Sequence, residues 1–422
     1  MGRFQLFQPG EYLDFEKEIV QNNLNLLSGK KKFEMPPEAA AYGPKPPKPY
    51  TEEEILAFNR KWNPYDPLYT DPAYARSQGF PSVPAMPGFV TPMPGMMLSF
   101  PKDMAEHFYY THDGGEVELR DRIFAGDFLK PANNQTELVD ETVPNSEVRM
   151  FCTKNYGELV NEAGKVVVCG GMSTRDAYRK IIDGSPAPSF SEKMEEWYEG
   201  FPPAHYTTDE EWDYIRELWT KEVIRGEDTL YWEDVSVGYE APKTCSGPIS
   251  YMNMIEWYGG RGLDRATLCN KEKLKTTYRD RNGVYMGEPC YHLGNRNVPG
   301  ARMVWYNDTG AYHVYRTITN FIGNQGRVSR FSWRFYPFFQ EMRTGPIVAD
   351  MFNKVKGMEG RDCDRHGSEG DTCIGRAVVT DKYINERGEH CIEIAAWGED
   401  LEGNIVQGCP SEAVLPSRES GR

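Results

Sequence analysis

Along this chain of 422 residues the spacing of apolar positions changes several times, and the changes mark its elements. Residues 12–27 carry apolar side chains at helical spacing and predict an amphipathic helix. Thr51, with Glu54 three residues on, is a capping-box start for a second helix running to about Lys61. Residues 62–96 hold eight prolines and predict a long shaped loop, because proline interrupts any regular element. From Gly114 the period shortens to two. Segments near 116–124, 135–142, 146–156 and 164–172 alternate or run β-rich between turn residues, the pattern of an antiparallel meander. A tract at 186–230, acidic and rich in Trp and Tyr, predicts a connector with a helix around 208–224. The order then recurs: a helical stretch ISYMNMIEWYGG, an irregular region at 261–300, a helix over 303–323, and strands near 327–341, 373–385, 389–399 and 405–415.

The recurrence is detailed. Gly126-Asp127 opens the strand material of the first half and Glu162-Ala-Gly-Lys-Val-Val167 closes it. In the second half Gly370-Asp371 opens and Leu401-Glu-Gly-Asn-Ile-Val406 closes. The helix over 303–323 carries Val304, Trp305, Ala311, Val314, Tyr315, Ile318 and Phe321 around much of its circumference, as expected of a helix wrapped by a sheet. The domain reading is an arm over 1–50, a first α+β unit over 51–175, an acidic connector over 176–228 and a second unit over 229–418.

Composition narrows the function classes. A formal charge of −15 argues against a chain that grips nucleic acid. No run approaches 18 apolar residues, so no membrane-spanning helix is expected, and the N-terminus lacks the apolar region of a secretory signal. Nine scattered cysteines with no CxxC pair predict reduced thiols in a cytoplasmic protein. The seven histidines lack metal-binding spacing, so neither a metal nor a redox cofactor is expected. Aromatic residues make up 13% of the chain, enough to shape an apolar tunnel or simply to pack a core. The Met-rich stretch 86–97 suits the same two roles.

Several segments together resemble a known family. They are Asp66-Pro-Leu-Tyr-Thr-Asp-Pro-Ala-Tyr-Ala-Arg76, Gly114-Gly115, Arg122-Ile-Phe-Ala-Gly-Asp127, WEDVSVGYEAP (232–242), GDTCIGRAVVTDKY (370–383) and EDLEGNIVQGCPSEAVLPSR (399–418). The chain resembles the MaoC-like, double-hotdog acyl-CoA hydratases and dehydratases over roughly 55–175 and 229–418. The resemblance implies an α+β tandem hotdog, two antiparallel sheets each wrapping a central helix and together forming a pseudo-dimer. It also implies an acyl-CoA substrate and a homodimer or higher oligomer. Hydrating an enoyl thioester needs a base to activate water, an acid for the α-carbon and an N–H to polarise the carbonyl. The family supplies the first two from an Asp-x-Asn-Pro-x-His-x-Asp-Pro loop.

This chain departs from that loop. Tyr69 stands where the His belongs, Asp66 at the Asn and Pro64 at the catalytic Asp. In the second half, Pro289-Cys-Tyr-His-Leu-Gly-Asn-Arg-Asn-Val-Pro-Gly300 offers His292 as acid/base. The candidate catalytic residues are therefore His292, Tyr69 and Asn295, with Asp71, Arg296, Gly300 and Asp308 as candidate substrate-binding residues. His313 is weighed as a core polar residue, His112 as a loop residue and His366 as exposed. Three functions stay open: a hydro-lyase on a bulky or aromatic acyl-CoA, a non-catalytic hotdog partner, and a hotdog enzyme whose substrate is not a thioester.

Overall fold

The computed structural model describes residues 6–30, 47–90, 109–179, 207–250, 253, 277–279, 285–289, 305, 309–334 and 347–419. The helices are α1 (Asp14–Leu27), α2 (Glu52–Trp62), α3 (Pro67–Thr70), α4 (Pro72–Ser77), α5 (Asp209–Lys221), α6 (Thr309–Ile322) and α7 (Ile347–Asn353). The strands are β1 (Tyr109–Leu119), β2 (Lys130–Asp140), β3 (Val148–Val160), β4 (Val166–Arg179), β5 (Thr244–Ser246), β6 (Thr277–Arg279), β7 (Tyr285–Pro289), β8 (Arg327–Arg334), β9 (Cys373–Ile384), β10 (His390–Glu399) and β11 (Ile405–Val414).

Nine strands form one antiparallel sheet, ordered β2-β3-β4-β1-β8-β11-β10-β9-β5, the sheets of the two halves lying side by side and running continuously into each other. The order is nearly a palindrome. In each half a three-strand meander folds back so that the strand before it, β1 or β8, lies at the centre. There β1 and β8 pair from Gly114↔Arg334 to Glu118↔Arg330.

The two halves also repeat in their turns. Gly164 and Gly403 take positive φ in the β3–β4 and β10–β11 hairpins, and in each hairpin the glycine N–H bonds the carbonyl three residues back, Asn161 or Asp400. Tyr50 exchanges backbone bonds with Gly126 and Asp127 just as Ile249 does with Gly370 and Asp371. The next residue in each case bonds reciprocally with the residue three positions on, Thr51 with Glu54 at the start of α2 and Ser250 with Asn253.

Some sequence expectations change. The proline-rich loop contains two short helices, because Asp66 and Asp71 each cap a helix whose first residue is proline, where no N–H is needed. Gly114 and Gly115, where the alternating pattern was read to begin, lie inside β1. A Cβ at Gly114 would overlap the Trp333 carbonyl oxygen and one at Gly115 would press on the Trp333 ring, so glycine admits the close approach of β8. His112 is therefore a strand residue, paired with Thr174. The irregular region at 261–300 contains the β6–β7 pair. The described helix α6 begins at Thr309, and β8 is described only to Arg334. Apart from Asn253, the helical stretch read after Ser250 lies outside the described residues.

Helix α6 crosses the second half of the sheet, touching β5, β8, β9, β10 and β11. Ala311, Val314, Tyr315, Ile318 and Phe321 are buried, as the pattern of the sequence required. The other sheet face is covered by α7, whose Val348, Met351 and Phe352 pack on Trp397, Ala395 and Ile405. One core runs across both halves, joining Ile55, Trp62 and Leu119 to Tyr312, Phe331 and Val406. The seven described cysteines are buried free thiols.

Candidate functional site

The site begins on α2. Its inner face repeats at Ile55, Asn59 and Trp62, and the middle position is a buried amide. Asn59 donates to the carbonyls of Tyr69 and Pro84 at 2.8 and 2.9 Å and accepts the Met86 N–H at 2.9 Å. That one side chain clamps α3 and the 84–86 loop together. The loop is also held by the Ala85 N–H on the Ile123 carbonyl.

Within this frame Tyr69 is buried and its hydroxyl meets the Arg122 guanidinium. Burial pushes the phenol up to about 12, so it stays protonated and serves as a donor, not a base. Arg122 also donates to the carbonyls of Asn324 and Gly326, at 2.9 and 2.5 Å, and stacks over the Phe80 ring. Asp66 is 3% exposed; burial raises its carboxyl to about 6, against the opposing pull of the Leu68 N–H that it caps and the charge of Arg122. Tyr69 and Arg122 line a small recess, partly open to solvent, whose other walls include Met86, Phe89, Leu119 and Val328 and the charged Asp121 and Arg327.

The second half closes over this loop. Tyr312 of α6 donates to the Gly88 carbonyl at 3.2 Å and stacks on Trp62 with ring centres 4.5 Å apart. Gly88 has positive φ, and a Cβ there would run into the Tyr312 ring. His313 stands edge-on to Trp62; burial lowers its imidazole to about 3, leaving it neutral. His366 is half-buried, not exposed, and burial likewise lowers it to about 3.

Of the sequence-predicted site residues, Tyr69 lines the recess. Asp71 does not: it is exposed and its carboxylate accepts the N–H groups of Ala73 and Tyr74 as the cap of α4. His292, Asn295, Arg296, Gly300 and Asp308 lie outside the described residues. Next to that segment, the Trp305 N–H bonds the Gly367 carbonyl at 2.8 Å. Sequence reading passed over Asn59 and Arg122 as site residues. The signal for Asn59 was an amide on an otherwise apolar helix face; Arg122 stood within a quoted motif with no role attached. Among the described residues no group of three His, Cys, Asp or Glu side chains is placed to hold a metal ion.

No family model matches the chain. A protein designated UPF0336 from Tropheryma whipplei, strain Twist, is 34% identical over 89 residues, 20% of this chain. Its counterpart in strain TW08/27 aligns equally well. The alignment spans 64% of the length of those relatives. Solved structures with a similar fold include a MaoC domain protein dehydratase from Chloroflexus aurantiacus, 12% identical, with 89% of this chain and 94% of that chain covered and a TM-score of 0.46. A MaoC-like dehydratase from Phytophthora capsici is 12% identical, with 88% and 94% covered and a TM-score of 0.38. A Mycobacterium tuberculosis protein described as a double hotdog is 8% identical, with 98% and 96% covered and a TM-score of 0.35.

Proposed function

We propose that this chain is a tandem hotdog hydro-lyase acting on an unsaturated or 3-hydroxy acyl thioester. The observation that carries the reading is the doubled sheet, with α6 lying across β5 and β8–β11 and the first half's 84–90 loop fastened to that helix through Tyr312. In this reading the units are 51–175 and 229–418, paired as a pseudo-dimer through β1 and β8. His292 activates water or protonates the α-carbon, with Asn295 orienting the same water. Backbone N–H groups after Gly300 polarise the thioester carbonyl, and Arg296 and Asp308 hold the remainder of the substrate. Tyr69, protonated at neutral pH, donates a hydrogen bond and takes no proton. The acyl part is bulky or aromatic, in keeping with the aromatic content of the chain, and the thioester is carried on CoA.

The test is steady-state hydration of a series of enoyl-CoAs by the full chain. Activity with at least one chain length is expected, falling about 100-fold or more in His292→Ala. Absence of turnover across the series, or a His292→Ala enzyme as active as the parent, removes the reading. One observation favours a second: the first half has a buried, protonated phenol where the family's base would stand. A non-catalytic subunit that binds acyl-CoA for a partner would then give CoA binding without turnover.

A further inference from the structure

Buried cations require an answering charge. Arg149 of β3 is fully buried, and its answer comes from the N-terminal arm. Glu16 of α1, also fully buried, accepts from the Arg149 Nε at 2.8 Å. The carbonyls of Gln8 and Glu11 accept from the same guanidinium at 3.3 and 2.5 Å. The rings of Phe7 and Tyr12 lie against it, with centres at 4.6 and 5.3 Å. From its own hairpin Arg149 meets Asp140 and Thr142 at 3.4 and 3.2 Å. The arm is fastened further along the turn between β2 and β3. The Phe7 N–H donates to the Ser146 carbonyl at 2.8 Å, and the Asn145 N–H donates to the Phe7 carbonyl at 3.0 Å. The hairpin is thus a socket, and the arm is its plug.

Plug and socket form a small core of their own. Phe7, Ile19 and Phe151 are buried together, with Tyr12, Phe15, Val20 and Leu138 packed on them. None of these side chains belongs to the core that joins the two halves. The tether is long: residues 31–49, six of them proline, separate the arm from Tyr50. Nineteen residues span at most about 65 Å, a reach that extends to a second molecule. Three large apolar side chains at this end stand in solvent, Leu6 and Leu24 of the arm and Val143 of the hairpin turn, at 52%, 45% and 44% exposure. Exposed apolar side chains gathered at one end mark a contact surface. The socket asks its occupant for a carboxylate four residues after one aromatic and nine after another, and the arm of this chain meets that demand with Tyr12 and Phe7. We infer that two copies of this chain exchange arms, each placing its Glu16 beside the Arg149 of the other. The contacts of the arm are the same in either chain, so the exchange adds the covering of Leu6, Leu24 and Val143 to bonds already made. The inference does not depend on the hydro-lyase reading, because it is tested by association alone.

The experiment is sedimentation of the full chain with paired charge reversals. The parent is expected to sediment as a dimer. Glu16→Arg sets two cations face to face in every seating of the arm, and Arg149→Glu sets two carboxylates there, so each variant alone should be monomeric. In an equal mixture the arm of each fits only the socket of the other, and the dimer should return. Arg149→Glu alters β3 itself, so Glu16→Gln, confined to the arm, is measured beside it. Its dimer should dissociate roughly 10- to 100-fold more readily, the usual effect of removing a charge-assisted hydrogen bond. Thermal melting establishes which variants are folded. A monomeric parent would overturn the proposal, as would a Glu16→Arg or Glu16→Gln chain that dimerises as tightly as the parent. So would a mixture of the two folded reversal variants that stays monomeric. Hydration of enoyl-CoA, present or absent, leaves these outcomes unchanged.

Discussion

Asp66 combines a helix-capping position with near-complete burial, and the two make opposite demands on its proton. The cap favours the anion, burial favours the acid, and burial dominates, since the group rises from 3.8 to about 6. A carboxyl raised on folding penalises the folded state only where it must ionise. The penalty is absent below about pH 4 and complete above about pH 6, where it reaches on the order of 3 kcal/mol. Asp66→Asn retains a capping oxygen, so it should stabilise the protein at pH 7 and lose that advantage at pH 4; urea titration at the two pH values measures it. His313 and His366 work in the other direction. Both are held neutral, so each contributes stability that is complete above pH 6.5 and declines as the pH falls toward 3. His366→Gln should flatten the loss of stability between pH 6.5 and 4. At this scale the sequence set Asp71 among the substrate-binding residues, although its place before a proline suits the helix cap that it is. It did not reveal that Tyr69 faces Arg122, since the two come from segments far apart and nothing in their spacing records the meeting.

Helix α6 carries a polar stripe among its apolar positions, and this stripe joins the connector to both halves. Arg316 reaches Glu222 and the Cys245 carbonyl, Asn320 donates to Glu222 and accepts from Asn63, and Thr317 meets Thr244. Removing one member of a buried ion pair leaves the other uncompensated, which costs about 3–5 kcal/mol. Glu222→Ala should therefore lower stability by about that amount, whereas Glu222→Gln, which keeps the hydrogen bonds, should lose less; chemical denaturation separates them. Gly375 on β9 lets α6 lie close to the sheet, because a Cβ there would overlap the Thr317 hydroxyl. Gly375→Val should displace the helix and cost several kcal/mol, seen as a lowered melting temperature. Elements were legible where their signals are local: the Thr51 capping box, the Asp209–Lys221 helix and the second meander all stand close to where periodicity placed them. The two short helices of the proline loop were missed because Pro67 and Pro72 stand at the one helical position that tolerates proline.

For the whole molecule, the sequence repeat announced two like halves but not how they join. The joint lies in the β1–β8 ladder and in a core shared by α2 and α6, both made from residues whose pairing no periodicity encodes. A shared core makes the halves one cooperative unit over the described residues, so tryptophan fluorescence and far-ultraviolet dichroism should report one urea transition with a common midpoint. The near-palindromic strand order has a kinetic consequence. The β2-β3-β4 and β9-β10-β11 meanders close over short loops and can assemble early, each on its own. The ladder from Gly114↔Arg334 to Glu118↔Arg330 must bring together the two ends of a very long loop. It should therefore form late on the folding pathway. Substituting Val117, which pairs with Phe331 across that ladder, by Ala should speed unfolding while leaving the folding rate nearly unchanged. A nascent chain leaving the ribosome would hold a finished first meander with a bare central strand until the second half has been made.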